Sequence, residues 1–137
     1  MPYTITVSTS HRIVEVVHEG HVSLNELELA RAEASDRLAC MPRRWLLVDV
    51  SRQTNRLSPF DAYRFNAGSV AALPVWLRLA LVHARGTERL VEQLIQPMRQ
   101  SGINIRCFTS REQGIEWLVH EVAAIGAIAA HGPRTAS

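Results

Sequence analysis

The sequence predicts an α/β domain built on a five-stranded, mostly parallel sheet with the element order ββαβαβαβα and an antiparallel strand at its N-terminal edge. Three observations predict it. The chain opens on two strand-like segments joined by a short turn. A continuous apolar run, Trp45-Leu46-Leu47-Val48-Asp49-Val50, reads as a central strand covered on both faces. From there, strands and capped helices alternate to the end of the chain, the pattern of parallel strands joined by crossovers.

The elements follow in order. Tyr3, Ile5 and Val7 alternate with Thr4, Thr6 and Ser8, a strand with one buried face. Ser8-Thr9-Ser10-His11 is a turn, and Ile13 to Val17 returns as the second strand of an antiparallel hairpin. After Gly20, Ser23-Leu24-Asn25-Glu26 is a capping box, in which Ser and Glu each satisfy a free amide. It opens a helix with Leu24, Leu27, Ala34 and Leu38 on one side, ending before Pro42. The third strand runs from Trp45 to Ser51. Ser58-Pro59-Phe60-Asp61 supplies an N-cap, a first-turn Pro and an acid, and its helix ends near Leu73-Pro74.

Leu77 to His83 is the fourth strand. Thr87 is expected to cap a helix that turns Leu90, Leu94 and Met98 to the core, kinks at Pro97 and stops at Gly102. Ile103 to Phe108 alternates as the fifth strand. Ser110-Arg111-Glu112-Gln113 is a further capping box, leading a helix through Ile115, Leu118 and Val122. From Gly126 the residues are small and polar. The expected organisation is one domain over 1–124 and a flexible tail over 125–137.

If successive strands are neighbours, right-handed crossovers put the intervening helices on one face of the sheet. Leu79, Leu81 and Ile105 then meet those helices, while Arg78, Ala80, Asn104 and Arg106 form a half-polar opposite face. That face is either open to a partner, a ligand or a second copy, or covered by a helix or the tail of this chain. The first and fifth strands alternate most clearly and are expected at the edges, where Arg106 would discourage unwanted pairing.

The opening hairpin, the strands LLVDVS and LRLALVHA, and the ending GINIRCFTSREQGIEWL resemble the SpoIIAA-like branch of the STAS-like proteins, the domains of sulphate transporters and anti-sigma-factor antagonists. The resemblance covers roughly residues 3 to 122. It implies a mixed sheet related to the lipid-carrying Sec14 domains. It also implies non-enzymatic roles: partner switching, nucleotide sensing, or carriage of a small apolar ligand. The antagonists carry an Asp-Ser-Ser/Thr-Gly motif with a phosphorylated Ser where this chain reads Leu57-Ser58-Pro59-Phe60-Asp61. The motif is absent, and Ser58 is the residue that a phosphorylation switch would use.

Composition narrows the functional classes. All fifteen basic residues are Arg, yet they are scattered and the net charge is only +2, so no basic stripe for nucleic acid is present. No apolar run is long enough to span a membrane. The start, MPYTITVSTSHR, lacks a basic segment followed by an apolar stretch, so a cytoplasmic location is expected. Cys40 and Cys107 belong to no CxxC pair and read as reduced thiols. His18, Glu19 and His21 stand close together but lack the further ligands of a metal centre. Neither a metal nor a cofactor is expected.

Ligands of open α/β sheets gather beyond the carboxyl ends of the parallel strands. Asp49, Ser51, His83 and Arg85 fall there, with Ser58 at a helix N-terminus, and together they are the candidate ligand- or anion-binding residues. Thr87 and Ser110 open further helices toward that rim, and Arg52, Arg56 and Arg111 come from adjoining segments. Alternatively these side chains only cap their own helices. Asp49 and His83 would make an acid–base pair if both reached the rim together. Trp45, Trp76 and Trp117 would line an apolar pocket or belong to the core, with Trp76 the best candidate for an exposed contact.

The leading expectation is a non-catalytic STAS-like binding or regulatory module acting through a protein partner or self-association, as in a dimer. The alternatives are a carrier of a small apolar ligand, or an enzyme using Asp49 and His83.

Overall fold

Successive strands lie side by side, so the sheet order is the chain order. The computed structural model describes residues 3–8, 10–40, 45–74 and 77–130, with side chains described as far as His120. Strands β1 (Tyr3–Ser8), β2 (Ile13–Gly20), β3 (Trp45–Gln53), β4 (Arg78–Val82) and β5 (Asn104–Phe108) form one sheet in the order β1-β2-β3-β4-β5. β1 pairs antiparallel with β2, and every other pair is parallel. The helices are α1 (Leu24–Ala39), α2 (Pro59–Ala72), α3 (Glu88–Gln100) and α4 (Arg111–Ala130). The expected class and element order are therefore observed, with β1 and β5 at the edges.

Local chemistry explains where the helices begin. Ser23 Oγ accepts from the Glu26 amide at 3.2 Å while Glu26 Oε2 accepts from the Ser23 amide at 3.1 Å, a complete capping box. Ser58 Oγ accepts from the Asp61 amide at 3.1 Å, with Pro59 in the first turn. Thr87 departs from expectation: it holds the N-cap position of α3 but makes no side-chain cap bond. Its hydroxyl instead donates to the Ala84 carbonyl at 2.6 Å. α3 is also rotated from the expected face. Val91, Ile95 and Met98 are buried, whereas Leu90 is 39% exposed. α4 is helical through Ala130, past Gly126 where the sequence suggests a tail; residues 131–137 lie outside the described residues.

The two faces are built differently. On one, α1 and α3 cover Val14, Val16, Leu46, Leu79, Leu81 and Ile105. α4 settles on the other, joining Leu118 to Ile13, Trp45, Leu47, Ala80 and Val82. The half-polar face is thus covered over β3, β4 and β5 by a helix of the same chain, which corrects the open alternative there. The reason is topological. α1, α2 and α3 each lead into a parallel strand and share the crossover face, whereas no strand follows α4 and it is free to take the opposite side. Gly114 permits its close approach, because a Cβ there would stand 3.4 Å from both Ala80 Cβ and Leu47 Cδ1.

Among the described residues, no helix is long and apolar enough to cross a membrane.

Candidate functional site

α2 packs on α1 and α3, and no Cα atom of it lies within 8 Å of a strand Cα. Its inward stripe is Ala62, Asn66, Ser69 and Leu73, at steps of four, three and four that place them on one face. Three of these four side chains are too short to reach the sheet, and only Asn66 and Ser69 are buried within the helix. Its larger hydrophobic side chains are not packed into the core: Phe60 is 68% and Tyr63 72% exposed, and Tyr63 and Phe65 line the opening beside the sheet. The consequence is a half-open cavity of about 680 Å³ between α2 and the sheet. That volume is within the range of small-molecule sites.

Three rows of side chains floor this cavity, each set by the parallel register and the two-residue strand repeat. Leu46, Leu79 and Ile105 form the first row. Val16, Val48 and Leu81 form the second. The third lies at the carboxyl ends of the strands, where the β2–β3 register shifts beside His18, and where His18, Val50 and His83 all line the cavity. Two apolar rows therefore lead to one that carries two imidazoles.

Both imidazoles are almost fully enclosed, His18 2% and His83 4% exposed. His18 Nδ1 is buried with no hydrogen-bond partner, and its ring lies tilted against Tyr3 with centroids 5.9 Å apart. Burial lowers the His18 pKa, because desolvation penalises the imidazolium more than Glu26 and Asp49 favour it. His83 Nδ1 sits 2.9 Å from the Ala84 carbonyl and 3.0 Å from Thr87 Oγ1. Since a carbonyl only accepts, Nδ1 carries the proton, which leaves Nε2 as the acceptor of the uncharged tautomer.

α2 is held over the cavity by polar ties. Arg31 Nη1 donates to the Phe65 carbonyl at 2.8 Å and to Ser69 Oγ at 3.2 Å, and its guanidinium lies over the Phe65 ring. Gly68 makes room for it, because a Cβ at that position would run into the guanidinium. Asn66 Nδ2 donates to the Leu94 carbonyl at 2.7 Å, leaving Asn66 Oδ1 buried without a partner. An orphaned buried acceptor is costly, and two residues that line this cavity, His18 and Asn66, each carry an orphaned buried atom.

The candidate residues read from sequence are divided by the sheet. Asp49 shares the β3 face of Trp45 and Leu47, toward α4, and its Oδ1 accepts from the Ser51 amide at 2.9 Å and Ser51 Oγ at 2.6 Å. His83 shares the β4 face of Leu79 and Leu81, toward the cavity. Asp49 and Val82 are register partners, so the strands are adjacent while the two side chains project from opposite faces. No Asp49–His83 dyad forms. Ser58 is exposed and caps α2, and Arg85 is exposed beyond β4.

Of the other rim groups, Arg56 is exposed and lines the cavity, and Ser110, Arg52 and Arg111 are engaged within the chain. Ser110 Oγ donates to Glu112 Oε2 at 3.0 Å, Arg52 pairs with Glu19 at 3.1 Å, and Arg111 Nη2 donates to Glu15 Oε1 at 2.8 Å. Trp45 and Trp117 belong to the α4 side rather than the cavity, and Trp76 lies outside the described residues. Cys40 and Cys107 are free, and burial pushes the Cys107 thiol up to about 11. No cluster of three or more potential metal ligands occurs among the described residues.

His18 and Asn66 were not among the candidates. The parity of β2 held a signal for the first: Val14, Val16 and His18 share the inward register, so a strand-end His follows two core positions. Asn66 gave none, because a polar residue in a helix is ordinarily solvated.

A scan against protein-family models finds no match to this chain, and a search of curated proteins finds no similar sequence.

Proposed function

We propose that this protein is a non-catalytic binding module that takes up and carries a small, largely apolar molecule in the cavity beneath α2. The observation that carries the reading is the cavity itself: about 680 Å³, floored by two rows of aliphatic side chains and roofed by a helix whose backbone stands off the sheet. A protein of this size ordinarily closes such a space, since interiors pack to crystalline density. Small and polar residues along the inner stripe of α2 keep it open. The STAS-like resemblance supports the same reading, because the strand order and the single antiparallel edge are compatible with that topology and the related Sec14 domains carry lipids.

Partner switching finds less support. The half-polar face that suggested a docking surface is covered by α4 over three strands, and Ser58 caps its own helix.

Native mass spectrometry of protein freshly purified without detergent tests the proposal. The expected result is a fraction of molecules with a discrete added mass that is released on denaturation and partitions into organic solvent. Uniformly bare protein that also takes up no apolar compound on incubation would reject it.

A further inference from the structure

The floor of the cavity has a polarity gradient, and the gradient says more about the occupant than the volume does. Over two strand repeats, about 13 Å, the lining passes from Leu46, Leu79 and Ile105 to the row His18-Val50-His83. A purely apolar occupant would leave the polar row facing hydrocarbon, which is unfavourable for buried groups with free hydrogen-bonding capacity. Neither Nε2 has a partner among the described residues, and only Nδ1 of His18 is sealed away as a buried orphan. The two rings come from the ends of strands on either side of β3 and line the same cavity.

Resting on the cavity reading above, we propose that the occupant is an amphiphile whose uncharged, hydrogen-bond-donating head, of hydroxyl or amide type, seats at the His18–His83 row while its apolar body lies over the two aliphatic rows. The requirement for a donor comes from His83. Its Nδ1 proton is committed to Ala84 and Thr87, so Nε2 accepts. The preference for an uncharged head comes from enclosure. Arg31, the partly buried cation at this cavity, already serves Phe65, Ser69 and Glu28, and the second lining cation, Arg56, is exposed and keeps its hydration. A carboxylate at the His row would be desolvated without a committed counter-charge.

Three matched probes separate head from body: 4-phenyl-1-butanol, n-butylbenzene and 4-phenylbutyrate, each displacing the fluorescent apolar probe N-phenyl-1-naphthylamine at pH 7.5. His18→Leu and His83→Leu are each expected to weaken the alcohol about five- to tenfold, the loss of one hydrogen bond, and to leave butylbenzene unchanged or tighter. The butyrate is expected to bind at least tenfold more weakly than the alcohol. In the unsubstituted protein, which avoids any folding defect of the variants, the alcohol but not butylbenzene should shift the imidazole nitrogen resonances of His18 and His83. Equal effects on alcohol and butylbenzene, or unmoved resonances, would overturn the head assignment and leave the cavity reading standing. Butyrate binding as tight as the alcohol would overturn the uncharged head. Failure of all three to displace the fluorophore would remove both inferences.

Discussion

The two faces of this sheet solve the same packing problem in opposite ways. α4 lies directly on β3, β4 and β5 because Gly114 brings the backbone close and Leu118, fully buried, fills the remaining space. α2, on the other side, presents Ala62, Asn66 and Ser69 inward and rests on its neighbouring helices. One face is therefore closed by a helix lying directly on it, and the other encloses room beside its own core. The contrast teaches that the two sides of one sheet are closed to different degrees, so substitutions on the two sides should have different signatures.

The largest effect is expected at Leu118. Leu118→Ala should cost about 3 kcal/mol in urea denaturation, because the dry side cannot collapse around the lost atoms. Val48→Ala, on the cavity floor, should cost about 1 kcal/mol, since part of its surroundings is already empty. Similar losses at both positions would erase the distinction between the faces. Next comes Gly114→Val, expected to destabilise by about 1–3 kcal/mol through overpacking against Ala80 and Leu47. Arg31→Ala should lower the local stability of α2 by about 1–2 kcal/mol through its lost ties to Phe65 and Ser69, seen as faster amide exchange in α2 with α4 unchanged.

pH sharpens the comparison further. The His18 pKa is lowered in the folded state, so the unfolded chain binds a proton more readily at this residue. Its contribution is complete above the unfolded value, about 6.5, and is lost as the pH falls from there through the lower folded value. His18→Leu should therefore flatten the decline of the urea midpoint below pH 6.5, and an unchanged slope would contradict the burial of this ring. The smallest effect is expected for Arg52→Ala. The Arg52–Glu19 pair is 69% and 58% exposed, and exposed pairs contribute little to stability.

Much of the architecture was legible because it rests on local rules. Alternation in β1, the apolar run of β3 and the caps at Ser23 and Ser58 are each written within a few residues, and the sheet order followed from short crossovers. The side taken by α4 was not legible, because a helix with no following strand is under no crossover constraint. The α3 face was misread by one position: Leu90 and Leu94 look like core residues, but both line the cavity while Val91 and Ile95 are buried. The candidate site suffered most, because it depends on what fails to pack. Asp49 and His83 were correctly placed at neighbouring strand ends, yet strand parity sends them to opposite faces. An empty space leaves no motif. It arises from the reach of Ala62, Asn66 and Ser69 across a distance set by α1 and α3.

The most direct measurement is a fluorescence titration with N-phenyl-1-naphthylamine, comparing the natural sequence with Val48→Trp, which places an indole in the middle of the cavity floor. The account predicts saturable one-to-one uptake with a blue-shifted emission, abolished in Val48→Trp and unaltered in Arg52→Ala. Absence of saturable uptake by the natural sequence, or equal uptake by a folded Val48→Trp protein, would contradict it.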